Sequence, residues 1–440
     1  MDKPKLAGIS SRSRLEIFAA VFIGFNLIFL LFRFYHKYLL GEGWPVADPM
    51  YDPVYRFLDF YEINMAIHGL NPYISGLTNY PPLAILLALP FALVSDYSRF
   101  DSFGAVLKND DPAIKMSFLI FVAIFYVGIL AASVIMITLK NRKKTFHDYS
   151  SALLLFSLLA VSTPVLFAID RGNYLLFTTI FLVMWAILEE EKPDSIWGAV
   201  FLGLAAATKI YPIYMLMIYV MGRKFKKLIV TIITGLVTTI IPIFFFQGSF
   251  IDNCRWFYHG VMGFGGGSSY VLSHNVGLTA MVGYIYRMNG MDPNSGVIKI
   301  VWFITGAVLT ILVAGIFIFE KTMWKKVLLT VSLMVLLTPN SGLYNSCYLI
   351  APIMIMVLGD NEYKVRDIPY LILTAVLMVP LAYYYLPDTD YNKFYNDLNI
   401  AVLIDALLYL AIILYYVVTT VPEVINTLKM KQGSNVKPVA

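Results

Sequence analysis

Two carboxylates set three residues apart, Asp59 and Glu62 in "LDFYEINMAIHG" (residues 58–69), share one face if that stretch is helical. A carboxylate at the mouth of a cavity can take a proton from a substrate hydroxyl when its pKa suits and the hydroxyl lies within reach. Polar loops also carry ordinary surface acids, so spacing alone leaves Asp59 either a general base or a solvated acid. Lys209 in "AAATKIYP" is an isolated cation between two apolar runs. The Tyr211-Pro212 pair ends the helix there, and the ammonium either faces a cavity or snorkels to the membrane interface. Arg171 in "IDRGN" matches the fork geometry of a phosphate clamp. Equally, it forms a local pair with Asp170 at a turn built by Gly172 and Asn173.

His274 and Asn275 follow the glycine run "GFGGGSSY" (residues 263–270). No Gly-Lys-Ser/Thr follows the run, so it is read as a mobile lid and not as a nucleotide loop. A loop histidine is either a proton carrier or a solvated side chain. Asp405, near the end of the last apolar run, is a weaker candidate of the same kind. No HExxH, paired Cys/His or calcium-loop pattern appears, and Cys254 and Cys347 are too far apart to suggest a metal site, so no metal ligand is expected.

The elements that must position these groups are set by composition. The 440 residues are 59% hydrophobic and 14% charged, and mean hydropathy is +0.72, outside the soluble range. Uncharged runs such as 116–139, 151–169, 228–251 and 300–319 reach the roughly 20 residues that a hydrocarbon core demands. Because lipid offers no hydrogen bonds and the runs lack strict alternation, an all-α polytopic membrane protein is expected, with the chain as a single domain. The first run, 15–35, reads as a retained helix and not as a cleaved signal. A net charge of +5 then marks cytoplasmic loops and gives no reason to expect a nucleic-acid partner.

Basic clusters fall at Lys3/Lys5/Arg12/Arg14, 140–144, 223–227, 320–326, 362–366 and the tail with Lys429, Lys431 and Lys437. The positive-inside rule puts them all in the cytoplasm. About twelve crossings satisfy this, near 14–35, 112–139, 151–169, 173–190, 195–208, 210–222, 228–251, 296–319, 327–338, 343–359, 368–386 and 399–421, with both termini cytoplasmic. The condition is that 80–95, with Pro81, Pro82 and Pro90, lies at or re-enters the membrane without crossing. Residues 36–111 and 252–296 become large extracytoplasmic loops and 422–440 a cytoplasmic tail. The short pairs meeting at "ATKIYP" and "LTPNSGLYN" suit a recessed external cavity, and all the candidates above converge on that face.

The stretch "LDFYEINMAIHGLNPYISGLTNYPPLAILLALPFALV" resembles the opening signature of glycosyltransferase family 87, within the C superfamily of membrane glycosyltransferases. "RGNYLLFTTIFLVMWAIL", the "TKIYP" segment with its basic turn, and "LLTPNSGLYNSCYLIAPIMIM" resemble later landmarks of that family in the same order. Tyr344 and Asn345 stand where the family often has histidine, so a role resting on that histidine does not transfer, and His274 is the substitute considered. The resemblance implies a polyprenyl-phosphate sugar donor, commonly mannose, chemistry on the extracytoplasmic face, and Asp59 as catalytic base.

The expectation is therefore an inverting single displacement, with Asp59 as base and His274 as partner. Lys209 and Arg171 would hold the donor phosphate as its charge develops. Glu62, Tyr61, Tyr73, Tyr80, Asn173, Asn275 and Asn340 make up the expected substrate contacts, although interfacial enrichment explains the tyrosines equally well. The expected partners are the lipid-linked donor, a glycolipid or glycan acceptor and membrane lipids around a monomer, with no cofactor that the sequence requires and a divalent-metal requirement left open. The alternatives are a lipid or sugar transporter or flippase, which predicts repeats and a midplane site, and an oligosaccharide polymerase or ligase, which predicts arginine-rich outer loops.

Overall fold

Lipid-facing backbone must satisfy its own hydrogen bonds, and the described residues do so with helices. The structure, a computed structural model, describes residues 9–39, 56–68, 71–74, 78–94, 96–109, 111–140, 142–267, 275–292, 296–360, 363–379 and 400–434. The described residues contain no β-strand, and their one isolated bridge joins Asn275 to Gly342. In order the helices are α1 (Ser11–Phe34), α2 (Leu58–His68), α3 (Pro82–Ala92), α4 (Phe103–Lys108), α5 (Pro112–Leu139), α6 (Phe146–Ala160), α7 (Thr163–Arg171), α8 (Leu175–Glu191) and α9 (Trp197–Thr208). There follow α10 (Leu216–Met221), α11 (Phe225–Ile243), α12 (Phe250–Gly267), α13 (Leu278–Met288), α14 (Gly296–Phe317), α15 (Met323–Leu337), α16 (Ile350–Leu358), α17 (Ile368–Leu377) and α18 (Ile400–Ser434).

Long and short helices divide the work. Five segments are long and apolar enough to cross a membrane alone: Ser11–Phe32, Pro112–Leu139, Phe225–Ile243, Gly296–Phe317 and Leu403–Thr420. Their surfaces show large apolar side chains such as Leu31, Val127, Ile233, Phe303 and Val418. Two of the shorter helices lie inside. In α15 every residue from Val327 to Leu337 is buried, and in α16 every residue is. A helix apolar all round is stable only with protein on every side.

Several expected spans take a different form. The run 151–169 is broken, with α6 and α7 bent by 56° about Ser162, and counted as one span the pair makes six. The run 228–251 ends early, because Pro242 removes a donor near the end of α11 and a turn leads into α12. Residues 210–222 and 343–359 each begin as a 3-10 helix, at Tyr211–Met215 and Leu343–Leu349, before turning α-helical. Residues 80–95 form α3, whose 11 residues reach only about 16 Å, roughly half a hydrocarbon core. The run 368–386 is helical through Leu377, with 380–386 outside the described residues. The last helix runs on to Ser434, through most of the segment read as a tail.

One end of these helices is tied by charge. Glu189, at the end of α8, has a fully buried side chain that accepts from Lys227 and Lys224 and from the Tyr219 hydroxyl. Nearby, Lys140 pairs with Asp360 at 2.8 Å, Lys325 with Asp367 at 2.8 Å, and Arg14 donates to the carbonyl of Gly359. The basic clusters of the sequence thus meet acids where α5, α8 and α16 end and α1, α11 and α15 begin. Following α8 back to its start covers 17 residues, about 25 Å, and reaches Asn173 at the opposite end.

Glu189→Leu leaves two lysines around an apolar side chain, and a broken buried ion pair costs about 3–5 kcal/mol. Thermal unfolding of the detergent-solubilised protein should show a large loss for Glu189→Leu, with most of it recovered in Glu189→Leu/Lys227→Met.

Candidate functional site

The turn between α7 and α8 begins with Gly172, which ends α7 at φ 63° and ψ 33°. Its N–H bonds to the Ile169 carbonyl and that of Asn173 to the Ala168 carbonyl, both at 2.9 Å, closing the helix C-terminus. A Cβ on Gly172 would stand 2.6 Å from Phe60 Cβ, so both the left-handed backbone and the close approach of α2 require glycine. Just before α2, Phe57 also takes a positive φ of 59°, strained for an aromatic residue. It is held by its N–H to the Asp170 carbonyl and by its ring, 3.9 Å from that of Phe118. Phe60 packs among Phe91, Phe118, Phe121 and Tyr174. These contacts fix the first turn of α2 against the α7–α8 turn.

Asp59 is delivered into that junction with its side chain 15% exposed. Its Oδ1 faces the Arg171 guanidinium at 3.5 Å, and its Oδ2 accepts from Asn173 Nδ2 and from the Tyr80 hydroxyl, the latter at 3.0 Å. Asn173 Oδ1 in turn accepts from the Leu175 N–H at 2.9 Å and from Lys209 Nζ at 3.1 Å. Lys209 leaves the end of α9 in extended backbone, and its ammonium lies 4.7–5.4 Å from the ring centroids of Tyr344, Tyr80 and Tyr211. Three aromatic faces and an amide oxygen surround the half-buried cation.

Glu62, one turn along α2, is half-buried, and burial first, then the neighbouring Asp59 charge, push its pKa up to about 7, with Arg171 opposing. Tyr61 is buried against Phe57 and Phe60. Tyr73 packs on Phe246 and Phe257 and donates at 2.9 Å to the carbonyl of Tyr80, shaping the turn that presents that residue. Asn275 is also a brace: it donates to the Pro339 carbonyl and accepts from the N–H groups of Gly277 and Ser341. Asn340, half-buried in the same turn, accepts from the Gly342 N–H at 3.1 Å. His274 lies outside the described residues. Asp405 is buried in α18, near the Tyr409–Ser346 hydrogen bond.

Two site residues were missed from sequence. In sequence Tyr211 reads only as part of a helix terminator and Tyr344 only as a position where the family often has histidine. Tyr344 stacks on Phe167 at 5.8 Å and presents its ring to Lys209. Its signal was its place in a Pro- and Gly-broken segment facing the other such break at Lys209. Among the described residues no three His, Cys, Asp or Glu side chains are grouped to hold a metal.

Two outcomes follow from this geometry. Gly172→Ala places a methyl group against α2 in a left-handed conformation, and such overpacking costs about 1–3 kcal/mol; the melting temperature should fall. For Glu62, the unfolded carboxyl ionises near 4.5 and the folded one near 7, so between these values the folded state holds more protons. Its contribution to stability is complete below about pH 4.5 and is lost as pH rises through 7. Melting temperatures across that window should decline more steeply in wild type than in Glu62→Gln.

No curated protein matches the chain. The family model of glycosyltransferase family 87 matches residues 78–339, more than half of its length. Tyr80, Arg171, Asn173, Lys209 and Asn275 lie inside the match, whereas Asp59 and Glu62 precede it and Tyr344 follows it. With the apolar helices described above, the match identifies a membrane glycosyltransferase, and the chain belongs to glycosyltransferase family 87.

Proposed function

We propose that this transferase moves a hexosyl group, mannose in the simplest case, from a polyprenyl-phosphate donor to a lipid or glycan acceptor on the extracytoplasmic face. The observation that carries the reading is the convergence of one carboxylate, Asp59, with Arg171, Lys209 and Asn173 at the end of α8 remote from the buried Lys–Glu cluster. If the basic end is cytoplasmic, as the positive-inside rule holds, the carboxylate opens to the other side. Nucleotide sugars are scarce there, which favours a lipid-linked donor. On this reading the short and broken helices complete about twelve crossings of a cell membrane, with α3 dipping in without crossing.

The chemistry is a single displacement with inversion. Asp59 removes the acceptor proton while the sugar passes through an oxocarbenium-like state and the phosphate departs. Because the phosphate is already a good leaving group, cations that tighten on it as its charge grows supply the remaining stabilisation. Lys209 spends one of its three donors on Asn173 and keeps the others for the phosphate. Arg171, with its side chain 19% exposed, offers a planar fork from the opposite side of Asp59.

Purified protein supplied with a synthetic polyprenyl-phosphate mannose and a membrane lipid extract should form mannosylated product detectable by mass spectrometry. Asp59→Asn should reduce turnover at least about a hundredfold, in line with loss of a general base. Wild-type-like turnover in that variant would sink the base assignment. Lys209→Ala should weaken donor binding, and an unchanged donor affinity would remove Lys209 from the phosphate site.

A further inference from the structure

Hydrogen-bond polarity distinguishes the two oxygens of Asp59. The Leu175 N–H and the Lys209 ammonium are donors only, so the Asn173 atom they meet at 2.9 and 3.1 Å is its carbonyl oxygen. The amide NH2 is therefore the end turned toward Asp59, and it donates to Oδ2. The Tyr80 hydroxyl, 3.0 Å away, donates to the same oxygen. Oδ2 thus carries two hydrogen bonds, whereas Oδ1 faces the Arg171 guanidinium at 3.5 Å, the outer limit of such a bond. The backbone beneath is equally constrained, since Gly172 is pressed against Phe60 and Phe57 is anchored to Asp170.

The geometry points to Oδ1 as the atom of Asp59 that takes the acceptor proton, with Asn173 and Tyr80 as positioning residues that immobilise Oδ2 and Lys209 as the group that sets the Asn173 amide. The inference rests on Asp59 being the base, as proposed above. In the step itself the acceptor O–H bond breaks and its oxygen bonds to sugar C1. The bond from C1 to the phosphate oxygen breaks with its electron pair left on the phosphate, and the proton goes to Oδ1. Asn173, expected from sequence to touch substrate, instead acts through Asp59. Lys209 links the two halves of the site, since the same ammonium that orients the amide also stands at the proposed phosphate position.

The test is the pH dependence of transfer by the full-length protein, with synthetic polyprenyl-phosphate mannose and a membrane lipid extract as substrates. Removing a donor from a carboxylate makes it easier to protonate, so the acid limb of the rate profile should move to higher pH. Tyr80→Phe keeps the ring beside Lys209 and deletes only the hydroxyl; its acid limb should rise by about one unit. Asn173→Asp still accepts from Leu175 and Lys209 but sets a charge against Asp59, and its limb should rise further. Acid limbs superimposed on that of wild type, with only the rate reduced, would mean that both residues merely support the fold, and would overturn the assignment. Should a variant turn over too slowly for kinetics, infrared titration of the carboxyl band missing from Asp59→Asn reads the same shift directly. Loss of turnover in Asp59→Asn with unmoved limbs in the other two variants overturns this inference alone; full turnover in Asp59→Asn overturns both it and the proposed base.

Discussion

The hydrogen bond from Asn173 to Asp59 is the contact on which the site depends, because it joins an acid of α2 to a lysine more than a hundred residues downstream. Neither charge would be tolerated there alone. A carboxylate and an ammonium brought into a low-dielectric junction must each find polar partners, and one side-chain amide serves both, oxygen to the cation and nitrogen to the anion. The amide sits at the start of α8, the helix whose other end buries Glu189 among lysines. The buried ion-pair cluster and the Asp59 carboxylate are therefore tied to the two ends of one rigid element.

Lipid explains why the helices that hold the site are the short ones. A helix facing hydrocarbon must be long and unbroken, and α1, α5, α11, α14 and the apolar part of α18 meet that requirement. A helix surrounded by protein is released from it and can stop in mid-bundle, as α9 does at Lys209, or start as a 3-10 turn, as the chain does at Leu343. Side chains leave the backbone at such ends in directions that a continuous helix cannot offer. In this membrane glycosyltransferase, Asp59, Arg171, Asn173 and Lys209 gather where α2 begins, α7 and α9 end and α8 begins.

Much of this was readable from sequence. The apolar runs indicate the helical class, and Asp59, Arg171, Asn173, Tyr80 and Lys209 do meet. Their types sufficed because a charge in an apolar chain must find a counterpart. What could not be read was which polar side chains brace the backbone and which meet the charged groups. Asn173 and Asn275 look alike in sequence, yet one bridges two charges and the other clamps the 339–342 turn. Tyr61 and Tyr344 differ in the same way, one buried among phenylalanines and the other turned to a cation. Helix ends were also misjudged, because hydropathy runs through the break at Ser162 and through Pro242 while the backbone does not.

The tight contact between Gly172 and Phe60 bears on how this protein can vary. Each residue of an α-helix advances the side-chain direction by about 100°. With Phe57 tied to Asp170 on one side and Phe60 lodged over Gly172 on the other, the register of α2 is pinned at both ends of a single turn. One residue inserted between them would swing Asp59 off its partners while leaving composition, hydropathy and every apolar span unchanged. Within this turn, residue count is as stringent as residue identity.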